Sequence, residues 1–250
     1  MTDAMLIAAA LLVPLAGSVL IAVVGRWPNV RETVTLVTAV TLMLCVWSLL
    51  PEVFSGARPA LEVWEMMPGF AIAFEVEPLG MLFAALASLL WIVNSVYSIG
   101  YMRGNRETHQ TRFYACFAIA LAAAMGVAFA GNLLTLFLCY EVLTVSTYPL
   151  VAHKGDKATV RSARVYLGIL MGTSIALFLP AILWTQTVAG TLDFVPGGIL
   201  DGVMDGPAVG LLLALFAFGI AKAAIMPVHR WLPAAMVAPT PVSALLHAVA

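Results

Sequence analysis

The stretch VGLLLALFAFGIAKAAIMPVHRWLPAAMVAPTP, Val209–Pro241, opens as an apolar helix and then meets Pro227, Pro233, Pro239 and Pro241. Each such proline removes a backbone donor and clashes with the carbonyl four residues earlier, so a regular helix stops there. Backbone broken in this way survives at membrane depth only where it is buried in protein or faces a watery cavity. The stretch therefore predicts a seventh helix interrupted near Pro227 and an eighth that begins at Pro241, both inside a larger helical bundle. Only Pro241–Ala250 of the eighth is present, so it reads as cut short and the chain as a truncated amino-terminal piece.

The remainder of the chain supplies the bundle. Of its 250 residues, 62% are hydrophobic and 10% are charged, against roughly 45–50% and about 25% in soluble domains. A helix needs about 20 apolar residues to cross a hydrocarbon core, and six earlier segments meet or approach that length. They are Ala4–Val24, Thr33–Leu50, Leu79–Tyr101, Phe113–Ala130, Leu133–Val151 and Ala163–Val188, the last with Pro180 inside it. The first lacks a basic leader region and is followed by more spans, so it reads as a retained helix. Gly131-Asn132 alone separates the fourth and fifth, which predicts a tight antiparallel hairpin of helices. The expected fold is all-α, a polytopic transmembrane bundle forming a single membrane domain over residues 1–250. Between the second and third spans, residues 51–78 form an extracytoplasmic loop. Its Leu61–Trp64 and Phe70–Val76, set around Pro68-Gly69, suggest a β-hairpin. Gly190–Pro207 is a second loop.

Basic residues fix an expected orientation. Arg26, Arg31, Arg103, Arg106, Arg112, Lys154, Lys157, Arg161 and Arg164, nine of the 12, fall in alternate loops. The opposite loops hold only Arg58 but collect Asp3, Glu52, Glu62, Glu65, Glu75, Glu77, Asp193, Asp201 and Asp205. By the positive-inside rule the amino terminus lies outside a bacterial-type inner membrane. Cys45, Cys116 and Cys139 stand singly in apolar segments and read as small buried hydrophobes. No metal centre, phosphate-cradling loop, nucleophile elbow or dinucleotide fingerprint is present, so no cofactor is expected. Nothing in the charge balance points to nucleic acid.

The chemistry concentrates in a few side chains at membrane depth. Glu141 lies about 12 Å into Leu133–Val151, where an ionised group costs about 2.5–3.5 kcal/mol. Thr144 and Tyr148 follow on its face and suit an interior wall. Lys222 stands in an apolar, small-residue stretch before Pro227. Burial opposes its ammonium charge while a nearby Glu141 carboxylate favours it, so the two would titrate as a coupled pair. A static Glu141–Lys222 salt bridge bracing two helices is the simpler alternative. His247 and Ser243 share a face of the eighth helix. A histidine there can relay protons near neutral pH or serve as a packing residue. His229 and Arg230 border the break and can snorkel to an interface, and His109 and His153 read as solvated surface groups.

KAAIMPVHRWLPAAMVAPTPVSALLHAVA, Lys222–Ala250, closely resembles the signature segment of the proton-translocating antiporter-like family. That family holds the D- and A-type components of Mrp-type sodium/proton antiporters, the antiporter-like subunits of complex I, and membrane-bound hydrogenase relatives. FLCYEVLTVSTYPLVAHK, Phe137–Lys154, resembles the second family motif, centred on its glutamate. The resemblance implies a fold of two inverted five-helix bundles, of which these residues cover the first. It implies that Lys222 carries protons, that Glu141 modulates it, and that His247 passes protons toward the centre of the protein. Thr144, Tyr148, Pro227, His229 and Ser243 would support them. By resemblance the chain supplies one half-channel and works with other membrane subunits, moving protons in exchange for sodium or another monovalent cation, or driven by redox chemistry. It would be a transporter rather than a catalyst by itself, within an assembly that could resemble an NADH:quinone oxidoreductase. The alternative is a structural membrane component that anchors partners, its buried charges serving assembly.

Overall fold

The computed structural model describes residues 2–67, 69–200 and 202–249. Pro68, Asp201 and Ala250, which enter the expectations for the hairpin turn, an acidic loop and the end of the eighth helix, lie outside the described residues. The described residues form a bundle of helices with one two-stranded sheet. The helices are α1 (Asp3–Val23), α2 (Pro28–Trp47), the short α3 (Leu50–Phe54), α4 (Pro78–Gly104), α5 (Gln110–Ala128), α6 (Leu133–Val151) and α7 (Lys157–Thr173). α8 (Leu179–Ala189), α9 (Gly206–Gly219), α10 (Trp231–Ala235) and α11 (Thr240–Ala248) complete the order. Strands β1 (Ala60–Met67) and β2 (Phe70–Glu75) pair antiparallel between α3 and α4.

Six of the described helical runs are long and apolar enough to cross a membrane, and the protein is a multi-pass membrane chain. Pro28 and Pro78 open α2 and α4, where the missing donor would be unsatisfied in any case. Asn132 caps α6 by accepting from the Thr135 backbone amide at 2.8 Å. α5 and α6 approach closely because Gly126 leaves room: a Cβ there would meet Cys139 Sγ at 2.5 Å. The sixth span is one continuous run, Lys157–Ala189, that includes a π-helical turn at Ser174–Phe178. Pro180 explains the widening. It offers no amide to the carbonyl four residues back, and a turn with i→i+5 bonding relieves that mismatch.

The two ends of the bundle differ in charge. At one end the β-hairpin lies on the α5–α6 turn: Glu75 donates its amide to Phe129 O at 2.8 Å, and Asn132 Nδ2 donates to Ala71 O at 2.8 Å. Leu133 joins the α8–α9 loop there through Leu192 O at 3.0 Å. At the other end, the α1–α2, α4–α5 and α6–α7 turns meet. Thr111 Oγ1 donates to Gly25 O at 3.2 Å, and Arg112 donates to the His153 carbonyl at 2.9 Å.

That basic end corrects two expectations. Arg31, taken for a loop charge, is 4% exposed and paired with Glu32, which is equally buried. Arg103 completes the cluster on Glu32, and Gln110 accepts from Arg31 at 2.7 Å. His153, expected as a solvated surface group, is 1% exposed. The turn after α6 folds it against the Phe113 ring, with centroids 5.9 Å apart, because the Arg112 bond draws its backbone inward.

Candidate functional site

The seventh helix stops earlier than its prolines require. α9 ends at Gly219, followed by a 3-10 turn at Ala221–Ala223, a left-handed Ala224 (φ 53) and a second 3-10 turn at Val228–Arg230. Packing sets this stop. A Cβ on Gly219 would meet the backbone nitrogen of Phe178 at 2.6 Å, so helix and π-helical turn touch main chain to main chain. Trp231 then donates its indole N–H to the Ala221 carbonyl at 2.7 Å and fixes the turn across the gap. Its ring leans edge-on against Tyr166 of α7, 5.8 Å between centroids. The break in α-helix thus spans Ile220–Arg230, and Lys222 sits in the 3-10 turn inside it rather than on a helix before it.

Lys222 reaches α6. Its Nζ stands 4.3 Å from the centroid of the Tyr140 ring and 3.5 Å from the Tyr140 carbonyl oxygen. That carbonyl also accepts the Thr144 hydroxyl at 2.9 Å. Glu141 is the next residue along α6, and both its carboxylate oxygens are buried without a hydrogen-bond partner among the described residues. The polar groups facing it are the Ser174 hydroxyl, from the π-helical turn, and Lys222. Ser174 spends its hydrogen on the Met171 carbonyl at 3.1 Å. Lys222 and Glu141 form no ion pair within 4.0 Å, so the static salt bridge is not the arrangement observed.

The structure therefore brings Glu141, Lys222 and Thr144 together, with Tyr140 between them. Tyr148 lies half-buried one turn beyond Thr144. Buried Thr147 separates the two and shares a 2.7 Å hydroxyl contact with Tyr166. Pro227 lies inside the break, just before the second 3-10 turn. His229 is exposed in the second 3-10 turn, and His247 is exposed on α11, where Ser243 is half-buried; none of the three has a hydrogen bond to the Lys222 group among the described residues. The same residues contain no group of three His, Cys, Asp or Glu side chains placed to hold a metal. An ammonium and an unpartnered buried carboxylate, close but unjoined, can each change protonation state without breaking a bond between them. Tyr140, Ser174 and Trp231 were missed in the sequence. Tyr140 carried a usable signal, being adjacent to Glu141 and one helical turn before Thr144.

At the basic end, burial pushes the His153 imidazole below its ordinary value, Glu107 pulls it back up, and Arg112 and His109 lower it further. The Glu107 carboxylate is 3.8 Å from Nε2. Asp156, which caps α7 through the Thr159 amide at 2.7 Å, is held below the usual carboxylate range by that bond.

Residues 130–250 match the family described as NADH:quinone oxidoreductase/Mrp antiporter, transmembrane. The chain is 31% identical over 213 residues to the A/B component of a probable K(+)/H(+) antiporter of Rhizobium meliloti, covering 84% of this chain and 21% of that protein. It is 30% identical over 186 residues to the N component of the NADH-quinone oxidoreductase of Desulforudis audaxviator, covering 73% and 36% respectively. Its fold superposes on a chain of the Mrp complex from Dietzia sp. with a TM-score of 0.80 at 22% identity, over 98% of this chain and 46% of that one. The chain thus spans well under two thirds of the length of each.

Proposed function

We propose that this chain, whose residues 130–250 belong to the NADH:quinone oxidoreductase/Mrp antiporter membrane family, supplies a half-channel for protons in a multisubunit complex of a bacterial inner membrane. The observation that carries the reading is the meeting of Lys222 with α6: a cation at a break in one helix, beside an unpartnered buried carboxylate in another. Lys222 takes up and releases the proton, Glu141 sets how readily it does so, and His247 hands the proton on through water. Thr144, Tyr148, Pro227, His229 and Ser243 shape the passage. Moving a charge near Glu141 alters the Lys222 proton equilibrium: at an effective dielectric constant of about 20, unit charges about 6 Å apart interact by roughly 3 kcal/mol. The relatives named for K(+)/H(+) antiport and for NADH-quinone oxidoreductase support coupling either to a monovalent cation or to a redox partner. With the basic end toward the cytoplasm, the amino terminus and the β-hairpin lie outside.

The test uses inside-out vesicles holding the protein with its partner subunits, acidified inside and then given sodium or potassium. Cation-triggered proton release present in wild type and lost in Lys222→Ala, at matched protein levels, is the expected result. Proton pumping that needs a redox donor and Lys222, with no cation response, assigns the redox branch. Unimpaired proton movement by Lys222→Ala under both conditions overturns the reading.

A further inference from the structure

Lys222 has a carboxylate nearby and does not pair with it; it lies over an aromatic face instead. The Tyr140 ring is fixed in place by Phe178, edge-on at 5.9 Å, and Phe178 is in turn packed by Phe137 and Phe216. A buried tyrosine usually spends its hydroxyl on a partner, yet the Tyr140 hydroxyl is buried without one among the described residues. The residue is therefore held for its ring, not its polar tip.

We propose that Tyr140 is a positioning residue whose ring face selects the ammonium form of Lys222 and holds it off the Glu141 carboxylate. The negative face of an aromatic ring attracts an ammonium and does little for a neutral amine, so the ring weights the proton equilibrium toward the loaded state. The Tyr140 carbonyl, 3.5 Å away, accepts from the same nitrogen and sets its position along α6. The titratable groups facing Lys222 are Glu141 and Tyr140 from α6, with Tyr166 of α7 engaged to Thr147 nearby. Keeping the ammonium on the ring has a functional consequence: Glu141 stays unpaired and free to change charge. This inference rests on the reading of Lys222 as the proton carrier.

The experiment is the pH profile of proton flux through the protein in its native complex, for wild type, Tyr140→Phe, Tyr140→Trp, Tyr140→Leu and Lys222→Ala. Tyr140→Leu should move the alkaline limb to lower pH by about one unit. Tyr140→Phe should keep the wild-type profile, because the face remains and the lost hydroxyl had no partner. A wild-type limb in Tyr140→Leu, or a shift in Tyr140→Phe as large as that of Tyr140→Leu, overturns the inference. If Tyr140→Leu fails to assemble, Tyr140→Trp decides: its stronger face should hold the limb at or above the wild-type pH, and a limb moved down overturns the inference. Lys222→Ala separates the two levels of the argument. Normal flux there sinks the carrier reading itself, whereas dead flux with an unshifted Tyr140→Leu limb sinks only the role of the ring.

Discussion

Trp231 donates its indole N–H to the main-chain carbonyl of Ala221, 2.7 Å away, across the gap in the seventh helix. This bond gives a second donor to a carbonyl that also accepts the Ala224 amide at 2.9 Å, and it fixes the turn one residue before Lys222. Trp231→Phe keeps an aromatic ring against Tyr166 and removes one of the two donors to the Ala221 carbonyl, which still accepts the Ala224 amide at 2.9 Å, at a cost of about 0.5–1.5 kcal/mol. The melting temperature of the purified complex should fall, and proton flux per assembled complex should drop several-fold. Flux equal to wild type in Trp231→Phe would show that the turn keeps Lys222 in place without the bond.

Lys222→Arg isolates the need to release a proton. Arginine keeps a cation in the turn but is not deprotonated in proteins. Complex abundance should stay near wild type while proton flux falls as far as in Lys222→Ala, both read in the same vesicles. Substantial flux through Lys222→Arg would mean that a fixed charge is sufficient at this position.

Glu32 neutralises two arginines, one of them as buried as itself. Glu32→Gln leaves Arg31 without its counter-charge, and removing one partner of a buried pair costs about 3–5 kcal/mol. The Arg103 side chain is 47% exposed, so its share is small. The prediction is a marked loss of assembled protein, partly restored by adding Arg31→Gln. Strictly additive losses in the two single and the double variants, measured as melting temperatures, would count against a coupled pair.

His153 gives the fold a pH dependence of known sign. Its imidazole is pushed below the ordinary value in the folded state, so the unfolded chain binds more protons as pH falls. Its contribution is fully present above the unfolded value, near 6.5, and is lost as pH falls from there through the folded value. Thermal melts at pH 7.5 and 5.5 should show a stability drop in wild type that is smaller in His153→Gln. An identical drop in both would assign the acid sensitivity to other groups.

Gly219 allows α9 to touch the π-helical turn directly. Gly219→Ala places a methyl 2.6 Å from the Phe178 nitrogen and 2.8 Å from its Cα, where backbone must move. Overpacking of this kind costs about 1–3 kcal/mol. The melting temperature should fall, and flux should fall with it, since the displaced helix leads into the Lys222 turn. A variant as stable as wild type would mean that α9 shifts freely against Phe178.

The spans were legible in the sequence because apolar length is a local property: Leu133–Val151 agrees to the residue, and the others agree within a few residues at most ends. Glu141 and Lys222 stood out for the same reason, as charges in apolar text. The position of the break did not. Prolines marked Pro227 as the interruption, but Gly219 against Phe178 and Trp231 against Ala221 are contacts between distant segments. The buried Arg31–Glu32 pair, with Arg103 at its exposed edge, was hidden because its members border turns, where charges are normally solvated. His153 was misplaced by the same rule, since its burial depends on Arg112 forty-one positions away.

The π-helical turn at Ser174–Phe178 fits one residue more into its length than regular helix would. Everything after it is therefore rotated by about 100° relative to an uninterrupted helix. That phase offset lets Tyr166 address α10 while Phe178 addresses α9. The span is thus tolerant of substitution but not of length change. Losing any one residue from the turn would leave its hydropathy almost unaltered, yet it would swing Phe178 out of the stack behind Tyr140 and sever the sixth span from the seventh.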